Sequence, residues 1–74
     1  MRLTLHDGEI LVIADEDVSR VCENLWQLAS VPDAIALGAL VIAESLHPSV
    51  HVPLTLTAPQ SATLRKAVAT AEAA

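Results

Sequence analysis

The chain contains no phenylalanine and no tyrosine, and its single aromatic side chain of the Phe, Trp or Tyr type is Trp26. A core without aromatics has to be filled by smaller aliphatic groups, each of which covers less area. Glycine is almost as scarce. Gly8 and Gly38 are the only two, which excludes a glycine-rich phosphate-binding loop. Cations are limited to Arg2, Arg20, Arg65 and Lys66, and the formal net charge is −5. Nucleic-acid affinity rests largely on neutralising phosphates, so this balance argues against DNA or RNA as a partner. A polybasic membrane patch fails on the same ground.

One cysteine, Cys22, cannot form an internal disulfide, which fits a reducing compartment. His6, Asp7, Glu9 and Asp15 interrupt the apolar core that a signal peptide needs, so a cytoplasmic location is expected. The longest uncharged apolar run falls short of the ~20 residues of a membrane span.

What the chain does have is aliphatic surface. Hydrophobic residues make up 53% of only 74 positions, enough for one small domain over residues 1–74. Chains of this size bury only about 60% of their unfolded surface, and a partner is one common remedy. The apolar content peaks between Ala34 and Ala43, ten consecutive residues with no polar side chain.

Ser30-Val31-Pro32-Asp33 reads as a helix start, with a capping hydroxyl, a first-turn proline and a carboxylate at the positive helix end. His47-Pro48 reads as its stop. At about 100° per residue, Ile35, Ala39, Ile42 and Leu46 form one stripe, expected to face the core. Leu37, Leu40 and Val41 lie on the opposite side, between Asp33 and Glu44. Either the sheet or another helix covers them, or they form a contact surface rimmed by two carboxylates, which is the reading carried forward. Trp26, about 60–80° off the centre of the preceding helical stripe, is a further candidate anchor for that surface.

Leu3 to Leu5 and Ile10 to Ile13 flank Asp7-Gly8, a hairpin signal. A two-residue turn at Asp7-Gly8 sets Leu5 opposite Ile10 and Leu3 opposite Val12. Asp15-Glu16-Asp17 opens a first helix, whose carboxylates complement the helix dipole. Val18, Val21, Cys22, Leu25, Leu28 and Ala29 follow as its apolar stripe. Helix-turn-helix DNA readers share the outline of this closely joined helix pair, but their second helix carries basic and amide side chains where this one carries Leu, Ala and Ile.

Residues 50–57 alternate as a strand does, and Pro53 marks that strand as an edge. Thr57 and Gln60 have capping-box spacing, and Leu64, Ala67, Val68 and Ala71 form the stripe of a last helix.

The expected fold is thus α+β in the order β-β-α-α-β-α, a small three-stranded sheet packed by three helices, acting as a dimer. No cofactor motif is present, and no nucleophile–base pair is recognisable by local spacing. His47 and His51 are four apart but straddle Pro48, so a metal site joining them to His6 and Asp7 depends on tertiary placement. The favoured function is a non-catalytic protein–protein interaction module, a homodimer or the small subunit of a complex. The alternatives are a peptide-recognition module using the edge strand, and a small metal-binding protein.

Overall fold

The computed structural model describes residues 1–47 and 56–73. Within them lie strands β1 (Arg2–Thr4) and β2 (Ile10–Val12), a 3₁₀ turn (Asp15–Asp17), and helices α1 (Val18–Leu28), α2 (Val31–Leu46) and α3 (Ala58–Ala73). Helix α1 is the middle layer and packs against both α2 and α3, while β1 touches α2. The core joins Leu3, Leu5 and Ile13 of the hairpin region, Val21 and Leu25 of α1, Leu37, Leu40 and Val41 of α2, and Leu64, Ala67, Val68 and Ala71 of α3.

The helix ends follow the chemistry of their caps. Ser30 adopts extended backbone and its Oγ accepts the Asp33 N–H at 3.4 Å, with Pro32 in the first turn. Ala29 and Ser30 are both extended, so α1 and α2 are separated by a sharp two-residue break. At α3 the capping box closes both ways. The Thr57 N–H donates to Gln60 Oε1 at 3.1 Å, and the Gln60 N–H donates to Thr57 Oγ1 at 3.2 Å. The predicted stripe of α3 is buried at every position.

Among the described residues the sheet is two-stranded and antiparallel, not three-stranded. The expected third strand falls mainly on residues 50–55, outside the described residues. Leu56 and Thr57, which close that stretch, belong to no strand, because Thr57 is committed to capping α3.

The hairpin turns one residue differently from expectation. The Gly8 N–H donates to the Leu5 carbonyl at 3.0 Å, the Leu5 N–H donates to the Glu9 carbonyl at 2.8 Å, and Gly8 has φ +83°. This is a three-residue loop ending in a left-handed glycine, as in a type I turn with a bulge, and not a two-residue loop. The register becomes Leu3 opposite Leu11 and Thr4 opposite Ile10. A one-residue slip exchanges the two faces of a strand. Ile10 and Val12 therefore point to solvent, whereas Leu3 and Leu5 are buried.

Candidate interaction surface

Helix α2 is apolar on two sides, and the fold uses the one that periodicity alone does not single out. Ala34, Leu37, Leu40 and Val41 are the buried positions; Leu37 and Val41 are 1% and 0% exposed. The contact surface expected at Leu37, Leu40 and Val41 is therefore corrected: those side chains are enclosed by their own chain. The stripe expected to be core is the one left outside. Ile35 is 57%, Ile42 47% and Leu46 69% exposed, and Val31, one turn before that stripe, is 61% exposed.

The physical reason lies in the two carboxylates. Asp33 and Glu44 do sit on the same side as Leu37 and Leu40, but at the ends of that side, where a half-buried carboxylate can reach a donor or water. Asp33 Oδ1 accepts from Gln60 Nε2 at 3.3 Å, which ties the start of α2 to the start of α3. A carboxylate held in this way marks the margin of the core, not a solvent face.

The outer side of α2 carries no charge, and the half-buried Ser45 lies at its margin. Ala36, Ala39 and Ala43 are exposed beside the four large aliphatics, so the strip is uncharged along the whole helix. With 16 residues at a rise of 1.5 Å it is about 24 Å long, close to the full extent of a molecule measuring 28 × 24 × 20 Å. Gly38 lies beside this strip, and a Cβ placed there would meet nothing within 4 Å. Scattered exposed leucines are ordinary on protein surfaces; a continuous apolar strip without a single charge is not. Trp26 is also exposed, at 57%, on α1.

The polar contacts serve a different purpose. Ser61 is fully buried within the apolar stripe of α3, and its Oγ accepts the His6 backbone N–H at 3.2 Å. Sequence reasoning passed over Ser61. Its spacing of three before Leu64 places it in the stripe, and a small hydroxyl in that register is the signal that was available. Arg65 reaches from α3 to the hairpin tip, donating to Asp7 Oδ2 at 3.1 Å and to the Glu9 carboxylate. Asn24 Nδ2 donates to the Ala67 carbonyl at 3.0 Å, joining α1 to α3.

The Asp7 carboxyl is held below its ordinary value, first by the Glu9 backbone N–H that it accepts and then by the Arg65 guanidinium. Burial pushes the Cys22 thiol up, which disfavours the reactive thiolate.

Ser61, Arg65 and Asn24 each join α3 to another part of the fold. Among the described residues no three His, Cys, Asp or Glu side chains are grouped for a metal ion. Of the histidines considered for such a site, His51 lies outside the described residues. No helix among them is long and apolar enough to cross a membrane. Searches against protein-family models, curated proteins and solved structures returned no match, so the surface has to be read from its own chemistry.

Proposed function

We propose that this chain is a non-catalytic protein–protein interaction module whose contact face is the outer strip of α2, formed by Val31, Ile35, Ile42 and Leu46. The observation that carries the reading is the complete lack of charge on an exposed helix face four turns long, in a chain with thirteen charged side chains of the Asp, Glu, Lys and Arg types. Fully burying a large aliphatic is worth roughly 1.5–3 kcal/mol, so covering four that are about half exposed contributes on the order of 4 kcal/mol per chain. That is enough to drive a weak association and too much to leave unused at no cost in solubility. The free Cys22 thiol and the absence of a disulfide fit a cytoplasmic setting for this role.

The peptide-recognition alternative depends on an edge strand at residues 50–57. Most of that segment lies outside the described residues, so the strip on α2 is the better-supported surface.

The test is site-specific photo-crosslinking in cells of origin. A photoreactive residue replacing Ile35 or Ile42 is expected to capture protein, and the same residue replacing Glu72, exposed on α3, is not. Equal yields from all three positions, or none from any, would remove the proposal.

A further inference from the structure

We infer that the occupant of the α2 strip is a second copy of the chain, docked antiparallel so that two α2 helices cross at Gly38 and Ala39. This inference rests on reading the strip as an interaction face, and it adds what covers that face.

The first argument is self-complementarity. A two-fold contact requires that if one residue meets another, the second meets the first in return. About a midpoint between Gly38 and Ala39, Val31 falls opposite the other copy's Leu46, and Ile35 falls opposite the other copy's Ile42. Every large side chain of the strip then meets a large one, and the smallest residues meet at the crossing. The strip reads alike from either end of the helix, as an antiparallel self-contact requires.

The second argument is spacing. Ile35, Ala39, Ile42 and Leu46 are separated by four, three and four residues, the seam repeat by which one helix packs into another. That repeat calls for a helical occupant about as long as α2, and α2 itself meets the requirement. Gly38 has open space where a Cβ would stand, so none of the described residues blocks a close approach at that point.

The third argument is charge. Two copies of a chain with net charge −5 repel one another over most of their surfaces. A face without charged side chains is where they meet at least cost, and antiparallel helices add favourable dipole pairing. A strip about 24 Å long and one helix wide is smaller than the ~1,200–2,000 Å² of a stable interface, so the dimer is weak and concentration-dependent.

Sedimentation equilibrium of the full chain, from micromolar to millimolar concentration, is expected to show reversible monomer–dimer exchange. Ile42→Glu is expected to weaken that exchange by roughly 100-fold, because it sets an unpaired charge inside the contact. Far-ultraviolet circular dichroism of the variant should be unchanged, since Ile42 is outside the core. Orientation is read by cysteine pairing in a Cys22→Ser background. Ala39→Cys, near the crossing, is expected to form an intermolecular disulfide. Leu46→Cys is not, because the two copies of that position lie roughly 20 Å apart in the antiparallel arrangement.

A chain that stays monomeric at millimolar concentration overturns the inference, as does a dimer indifferent to Ile42→Glu. Pairing through Leu46→Cys but not Ala39→Cys overturns the antiparallel geometry. A monomeric chain whose photoreactive Ile35 position still captures a foreign protein removes the second copy and leaves the interaction face standing. Silence in both experiments removes both.

Discussion

Leu37 and Ile35 are two residues apart on α2, and the fold assigns them opposite fates. Leu37 is enclosed, so Leu37→Ala loses its transfer energy and leaves a cavity, at a cost of about 2.7–5 kcal/mol. A chain of 74 residues has a total stability of roughly 4–11 kcal/mol, so the substitution removes a large share of it. At about 4–8 °C per kcal/mol for a domain of this size, the melting temperature should fall by roughly 10–40 °C. Ile35 keeps more than half its surface in water, so Ile35→Ala in the monomer costs about 1 kcal/mol or less. Alanine's better helix propensity offsets part of that loss. Urea denaturation followed by circular dichroism at low micromolar concentration, where a weak dimer has dissociated, measures both. Equal costs for the two variants, or a larger one for Ile35→Ala, would show that the inner and outer faces of α2 have been assigned the wrong way round.

Three further outcomes follow from the polar contacts and the thiol. Ser61→Ala leaves the His6 N–H without its acceptor; it should cost about 1 kcal/mol and speed hydrogen exchange at the His6 amide, read by NMR. Asp7, whose folded pKa is depressed below 3.8, supports the fold above its unfolded value and loses that support as pH falls through the folded value. Arg65→Met should move the Asp7 titration part of the way back upward, because the Glu9 N–H contact remains, and an NMR titration that does not move refutes the role given to Arg65. Cys22 should react slowly with a thiol reagent at neutral pH and quickly once denaturant is added; a fast reaction in the folded chain would contradict its half-buried setting.

The helix boundaries were legible because they are decided locally. Ser30 with Pro32 and Asp33, and Thr57 with Gln60, specify their ends by hydrogen bonds within a few residues, and the structure shows those bonds. The stripe of α3 was legible because that helix has a single apolar side; on α1 Val21 and Leu25 are buried and Val18 and Cys22 half-buried as expected, but Leu28, at the helix end, is exposed. On α2 both Ile35-Ala39-Ile42-Leu46 and Ala34-Leu37-Leu40-Val41 satisfy the same periodicity. Choosing between them takes a tertiary fact, the reach of Gln60 from α3 to Asp33. The hairpin register failed for a similar reason: Asp7-Gly8 fits a two-residue turn, and only the backbone bonds from Gly8 N–H to the Leu5 carbonyl and from Leu5 N–H to the Glu9 carbonyl show that the loop takes in His6 as well. The outer strip as a surface was thus present in the sequence as a pattern, with its orientation undetermined.

The last helix fastens the first hairpin. Ser61 holds the His6 amide, Arg65 holds Asp7 and Glu9, and Leu64, Ala67, Val68 and Ala71 complete the packing begun by Leu3 and Leu5. During synthesis the hairpin must therefore wait for α3 to leave the ribosome before it acquires these neighbours. A message cut short before Ala58 yields a polypeptide whose hairpin keeps α2 beside it but lacks every α3 partner, a form suited to removal by proteases.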